Sequence, residues 1–357
     1  MQNESLELSF LSIFSVLSFF TFFIIQKISQ NLFKGKILDD DFDKPQAFHD
    51  NLVSRSGGLA SIISLYIFLF LYNFLFSTFY IEYFFICTGI FLIGFLEDIK
   101  IRLTPKIRLV LMIILLSITI PAFSIEINYI DLVFLNEILK FKIFLVLFTS
   151  LCFLFVINGC NLIDGFNGLL AIQLIVINSI LMFISIDNSF QFLTIFITAQ
   201  IIILLIFLLF NFPTAKIFMG DGGAYFFGTM TALNIILVNN ASFKISSFFF
   251  CIILFYLFFE VFFSFFRKIY QNKSPIKPDD KHLHMLSYKI LKSKYPNKDC
   301  NYINSIIINL SYFILIIPSL LFKENGVLCK YWFFLLIIIY ILTYSRLNSF
   351  LKKKIDI

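Results

Sequence analysis

A chain of 357 residues that is 59% hydrophobic and only 14% charged, with a formal net charge of +6 and a mean hydropathy of +0.92, lies far from the roughly 25% charged composition of a soluble domain. No water-soluble core absorbs that much apolar sequence and no room is left for a soluble second domain, so 1–357 reads as one integral membrane unit. Basic residues in such a chain record topology, and no nucleic-acid partner is expected.

Apolar runs at roughly 8–26, 59–79, 83–96, 107–123, 141–157, 168–186, 190–210, 223–238, 245–266, 303–322 and 331–345 predict an all-α polytopic membrane protein of about eleven transmembrane helices. The third run is short. The first carries Glu4 and Glu7 where a signal peptide has basic residues, and it lacks a small-residue cleavage site, so it is expected to stay as a helix. The six cysteines are scattered without metal or redox spacing and read as packing residues.

The polar segments alternate in character. Those at 27–58, 97–108, 158–167, 211–222, 267–302 and 346–357 hold 23 of the 28 basic residues. The positive-inside rule places that set in the cytoplasm, with the N-terminus outside and the C-terminus inside.

The cytoplasmic segments also carry the candidate chemistry. The first, within 39–58, joins the acidic run from Asp39 to His49 with Arg55 and the pair Gly57-Gly58 that opens a helix, whose backbone amides suit a phosphate. Within 94–108, Glu97 and Asp98 end an apolar helix and are followed by Lys106 and Arg108; adjacent carboxylates there can hold a divalent cation or a proton. Segment 158–169 packs Asn158, Asn161, Asp164, Asn167 and three glycines into a turn without a single Lys or Arg, a polarity suited to ligand contact. Segment 211–223 sets Asp221 among glycines just before a helix, after Asn211 and Phe218, and reads as a phosphate and metal cradle. The longest and most basic loop, 267–302, contains Asp279-Asp280 and then His282-Leu283-His284-Met285, a spacing suited to metal or phosphate contact.

In order, these five loops resemble the polyprenyl-phosphate N-acetylhexosamine-1-phosphate transferases, the membrane family that includes the phospho-MurNAc-pentapeptide translocase. The specific pieces are Asn-x-x-Asn-Leu-Ile-Asp-Gly-x-x-Gly-Leu at 158–169 and Phe-Met-Gly-Asp-x-Gly at 218–223. The resemblance implies attack by a lipid phosphate oxygen on the β-phosphorus of a UDP-sugar, giving a polyprenyl-diphosphate sugar and UMP with the anomeric bond intact. It implies catalytic roles for Asp98, Glu97, Asp164 and His282, and magnesium, with manganese as the other candidate, on Asp221 and Asn161. Substrate contacts fall to Asn158, Asn161, Asn211, Arg55, Lys106 and His284, and to Phe218, which stacks on uracil. Physical reasoning alone supports Arg55, Lys106 and His282 as stabilisers of phosphate charge. The His-Leu-His order is similar to the branch that uses a UDP-N-acetylhexosamine and undecaprenyl phosphate to start a surface polysaccharide, in a bacterial inner membrane and with a homodimer among its implied partners.

Three departures bear on that reading: Glu97 stands for the first of two aspartates, Asn167 for a frequent aspartate, and Met285 for a frequent third histidine. The competing readings are the phospho-MurNAc-pentapeptide transferase, a transporter or lipid flippase, and a lipid-phosphate-binding scaffold without activity. A transporter should place polar residues near the bilayer midplane, whereas the singled-out residues here fall in loops.

Overall fold

The computed structural model describes residues 2–39, 52–188, 190–275, 277 and 279–355, so the acidic stretch from Asp40 through His49 lies outside the described residues. The chain begins with α1 (Gln2–Ile28), then a two-residue antiparallel ribbon of β1 (Leu38–Asp39) and β2 (Val53–Ser54). Helices α2 (Gly57–Phe76), α3 (Ile81–Asp98) and α4 (Pro105–Ala122) follow, then short α5 (Val133–Leu139). Next come α6 (Lys142–Ile163), α7 (Leu169–Asp187), α8 (Gln191–Asn211) and α9 (Gly220–Ala241). The last group is α10 (Ser247–Ile253), α11 (Phe255–Tyr270), α12 (Leu283–Lys294), α13 (Cys300–Ile316) and α14 (Gly326–Ile355).

The all-α polytopic expectation holds. Among the described residues eight helices are long and apolar enough to cross a membrane: α1, α2, α4, α6, α7, α8, α13 with its continuation to Phe322, and α14. The pair α10 and α11, bent by 77°, makes a ninth if it counts as one span. The other two of the eleven apolar runs fall on α3 and α9, which do not qualify, so the count of eleven is not reached on these grounds. Glu82, Glu97 and Asp98 sit in the eighteen residues of α3, and Gly, Thr and Asn dilute α9. The reason is packing: α9 is buried along most of its length and touches α2, α3, α6, α7 and α8, so its side chains meet protein rather than lipid.

Close approach at that centre requires missing side chains. A Cβ on Gly58 would lie 2.3 Å from the backbone nitrogen of Gly223, so α2 and α9 touch backbone to backbone. A neutral polar cluster adds specificity deeper in the bundle. The Tyr83 hydroxyl donates to Asn234 (2.7 Å), Asn234 donates to Gln200 (2.7 Å), and Gln200 donates to Thr231 (2.7 Å), tying α3, α8 and α9; Asn178 of α7 accepts from Asn234 (3.3 Å). Polar side chains are thus not confined to the loops as the sequence pattern suggests. These pair with one another, which is how buried amides act as interhelical glue.

The loops divide between the two ends of the bundle. At one end the segment around Asp131 meets the α9–α10 connection and the start of α14: the Ser246 hydroxyl donates to Asp131, and the Ser246 amide donates to Lys323 O (2.9 Å). The motif-bearing loops converge at the other.

Candidate active site

Backbone pairing assembles the first part of the site. Ser54 bridges Ile217 in parallel, and the Phe218 amide donates to Ser54 O (2.7 Å). The Gly57 and Gly58 amides then donate to Phe218 O (2.9 Å) and Met219 O (2.8 Å). This corrects one expectation: the two glycines do not offer their amides to a phosphate. They are glycines because backbone packs on backbone there, and their pairing holds Arg55 and Phe218 beside each other at a cavity wall.

Asp98 is 2% exposed, and both of its carboxylate oxygens are occupied. Oδ1 accepts the Asp221 amide (2.9 Å) and Oδ2 the Gly222 amide (2.8 Å), so the carboxylate of α3 caps the N-terminus of α9. Gly220 is required just before it: its φ is +76°, and a Cβ there would sit 2.7 Å from the Asp98 oxygens. Arg55 approaches Oδ1 at 4.0 Å. The neighbouring Glu97 accepts the Leu103 amide (3.3 Å), tethering the turn that leads to the Thr104 cap and Pro105 at the start of α4.

Asp221, the first acid inside α9, is partly exposed and takes a 2.7 Å ion pair from Arg108 Nη1. Sequence reasoning gives a phosphate role to Lys106 and none to Arg108, which the structure brings to the site. The position of Arg108 one turn into α4 is a signal in hindsight, since a cation that close to an apolar stretch serves as more than a topological marker. Asp164 follows the end of α6, where burial and then the nearby Asp221 push its carboxyl up to about 7 against the opposing pull of Arg55.

Asn158, Asn161, Asn167 and Asn211 all line one cavity, and three of them also bond the backbone through their side chains. Asn211 accepts the Gly168 amide (2.7 Å) and donates to Ile217 O (2.9 Å), linking two motif loops. Asn167 donates its side-chain amide to Pro213 O (2.8 Å), and its backbone amide donates to Asn301 Oδ1 (2.8 Å). Asn158 bonds back to Leu154 O within α6 (2.7 Å). Asn161 and Asp164 line the same cavity as Asp221.

The two histidines part company. His282 Nδ1 lies 2.9 Å from Glu260 Oε1, and its Nε2 lies 3.3 Å from Asp279 Oδ1. Arg267 clamps Asp279 through two nitrogens, at 2.7 and 3.2 Å. Burial pushes the Asp279 carboxyl up, but the Arg267 clamp and nearby His282 outweigh it and hold it below the usual carboxylate range. His282 lines the cavity. His284 is fully buried behind it, with Nδ1 3.1 Å from the Tyr256 hydroxyl and its ring parallel to that of His282 at 5.7 Å. Burial pushes the His284 imidazole down to about 3, so near neutral pH it is an uncharged supporting ring, set apart from the cavity wall. Glu260 had no place in the sequence reading, because it falls inside the apolar run at 245–266.

These groups surround one cavity of about 930 Å³. One end is lined by Arg55, Glu97, Arg108, Asp164, Asp221 and His282, with Lys106 exposed at the rim. The other is apolar and runs between α4, α6 and α11 past Met112, Ile113, Leu154, Phe155, Phe262 and Phe266. Such a cavity accommodates an ionic head and a long hydrocarbon tail together.

Among the described residues no group of three or more His, Cys, Asp or Glu forms a ready-made metal cluster. Magnesium does not need one, since it takes one or two carboxylates and completes its shell with water and substrate phosphate. The donor chemistry fits: Asp221, Asp164 and Asn161 all bring hard oxygens to this cavity, and the two acids are close enough for one to raise the pKa of the other.

Residues 80–239 match the family described as Glycosyl transferase family 4. Over 346 residues, 95% of this chain and 92% of the relative, the chain is 26% identical to a Bacillus subtilis (strain 168) protein named "Probable undecaprenyl-phosphate N-acetylglucosaminyl 1-phosphate transferase". It is 27% identical over 251 residues, 70% of this chain and 71% of the relative, to the undecaprenyl-phosphate alpha-N-acetylglucosaminyl 1-phosphate transferase of Thermotoga maritima. Over a shorter stretch of 153 residues, 41% of this chain and 48% of the relative, it is 33% identical to the phospho-N-acetylmuramoyl-pentapeptide-transferase of Clostridium perfringens (strain 13 / Type A). The resemblance carried by the five loops is thereby borne out.

Proposed function

From the premise that the chain is a membrane sugar-1-phosphate transferase acting on a polyprenyl phosphate, we propose that its acceptor is undecaprenyl phosphate and its donor a UDP-N-acetylhexosamine. The observation that carries this is the single cavity with a charged end and an apolar end. A lipid phosphate enters with its chain along α4, α6 and α11 and its head beside Arg55 and Arg108. An oxygen of that phosphate attacks the β-phosphorus of the donor. The new P–O bond forms as the bond to UMP breaks, UMP departs, and the sugar keeps its anomeric oxygen.

Within that reading Asp221, Asp164 and Asn161 hold the cation, which when bound neutralises pyrophosphate charge. Arg55 and Lys106 attract the phosphates, and Phe218 offers a face for uracil. Arg108 releases Asp221 to the cation and turns to the transferred phosphate. Asp98 fixes where Asp221 stands, and Glu97 fixes the turn that presents Lys106 and Arg108. The motif loops face the cytoplasm of a bacterial inner membrane, the side on which 23 of the 28 basic residues fall. The product would begin a surface polysaccharide.

The phospho-N-acetylmuramoyl-pentapeptide-transferase reading has the shorter similarity behind it, 61% and 41% of the chain against 95% and 70%. Purified protein with undecaprenyl phosphate, magnesium and a panel of UDP-N-acetylhexosamines, UDP-MurNAc-pentapeptide included, decides between the two by which donor yields lipid-dependent UMP. No UMP from any donor overturns the proposal.

A further inference from the structure

Helix α11 has its polar side inward. Glu260, Ser264, Arg267 and Lys268 are buried, while Phe262, Phe265, Phe266 and Ile269 are exposed, the reverse of a helix on a soluble protein. Glu260 is 1% exposed inside an apolar run, where an ionisable side chain is costly and calls for both a partner and a purpose. Three donors converge on its two oxygens. Oε1 faces His282 Nδ1 at 2.9 Å and accepts the Leu283 amide at 3.2 Å, and Oε2 accepts the Tyr340 hydroxyl of α14.

We infer that Glu260 is a positioning residue for the transferase, acting through His282. A carboxylate only accepts hydrogen bonds, so the proton on this side of the ring sits on Nδ1, and Nε2 is turned toward Asp279 and the cavity. Tyr340 fixes the other oxygen of Glu260, and the Leu283 amide fixes the backbone next to the ring, so the imidazole cannot rotate without breaking a buried bond. The His284 ring also lies parallel to it at 5.7 Å. The span that contributes the apolar wall of the cavity thus also sets the orientation of a group at its charged end. A contact of this kind is invisible to motif reading, because Glu260 lies 22 residues before its partner and outside the family-matched stretch of 80–239. The inference rests on the transferase reading for its purpose, and on geometry alone for the bond itself.

The chain has three histidines, so protein labelled with 15N-histidine gives three imidazole systems, and a His282→Gln variant identifies one of them. In the detergent-solubilised full-length protein, His282 is expected to show a hydrogen-bonded, slowly exchanging Nδ1 proton that Glu260→Met, which has no oxygen to accept it, removes. Persistence of that signal in Glu260→Met, or its absence from the wild type, overturns the inference without reference to activity. In turnover, Glu260→Met should lower kcat about 30-fold or more while the donor KM changes less than about threefold. In a His282→Gln background the same substitution should change kcat less than about twofold. Losses that multiply would mean that Glu260 acts on folding alone and overturn the inference. If Glu260→Met does not fold, Glu260→Gln, whose carbonyl leaves a weaker, uncharged acceptor for Nδ1, takes its place, and the expected readout is an upfield shift of the Nδ1 proton rather than its loss; an unchanged shift overturns the inference. A wild type that shows the Nδ1 signal but releases no UMP overturns the transferase proposal and leaves the Glu260–His282 bond standing.

Discussion

The Asp98 carboxylate accepts the backbone amides of Asp221 and Gly222 at 2.9 and 2.8 Å, so the acid at the end of α3 sets the position of the acid at the start of α9. With both oxygens bound to backbone and the residue buried, Asp98 is placed to act through Asp221 rather than on substrate. Asp98→Asn must turn its amide NH2 toward one of two N–H donors. The expected outcome is a loss of about 1–3 kcal/mol in stability, measured by thermal unfolding in detergent, together with loss of turnover. A variant with wild-type unfolding and no turnover would place Asp98 in contact with substrate instead.

Arg108 and Asp221 form a 2.7 Å pair in which both side chains keep partial access to the cavity. A pair of that exposure contributes little to stability, on the order of 1 kcal/mol or less. Arg108→Met should therefore leave the unfolding midpoint nearly unchanged, yet lower kcat about 100-fold if the guanidinium turns to the transferred phosphate. It should also lower the magnesium concentration needed for half-maximal binding, because a competing cation has been removed. Calorimetry with magnesium alone separates the two effects, and unchanged turnover would refute the role given to Arg108.

Asn167 stands where the resembled family often has an acid, and the structure gives the amide a specific task. Its side chain donates to Pro213 O at 2.8 Å, a bond that a carboxylate cannot make. Asn167→Asp is expected to destabilise by about 1–3 kcal/mol without raising activity, since it sets a negative charge against a carbonyl. A more active and equally stable Asn167→Asp would show that the departure weakens the enzyme.

The parts of the molecule legible in sequence were those with a local signature. Ten of the eleven apolar runs fall on one helix each and that at 245–266 on the bent pair α10 and α11, because long apolar stretches fold as helices in a bilayer protein, and Asp164, Phe218, Asp221 and His282 meet at one cavity because short motifs mark loops at helix ends. Partnerships between distant segments were not legible. Nothing near Gly57 and Gly58 says that their amides are spent on Phe218 and Met219, and nothing near Glu260 reveals the Tyr340 hydroxyl 80 residues away. The same limit applies to α9, whose Gly, Thr and Asn content makes sense only once its neighbours are known to surround it. Hydropathy measures fitness for lipid, and a helix encased in protein is free of that requirement.

The raised carboxyl of Asp164 makes a pH-dependent prediction. Its pKa in the fold is about 7, against an ordinary value of 3.8, so between those values the folded protein binds a proton that the unfolded chain releases. The stabilising contribution is therefore fully present below about pH 4 and is lost as pH rises through about 7, amounting to one or a few kcal/mol once solvent screening at the cavity is allowed for. Without divalent cations, the difference in unfolding midpoint between wild type and Asp164→Asn should thus shift against the wild type from pH 5 to pH 8, because the amide does not titrate. A cation held by Asp164 and Asp221 needs both ionised, so magnesium should bind more tightly at pH 8 than at pH 6 and should restore the lost stability at the higher pH. The decisive comparison is the magnesium-induced rise in midpoint at the two pH values. A rise that is equal at pH 6 and pH 8, or that survives undiminished in Asp164→Asn, would remove Asp164 from the cation site and leave Asp221 to hold it with water and substrate oxygens.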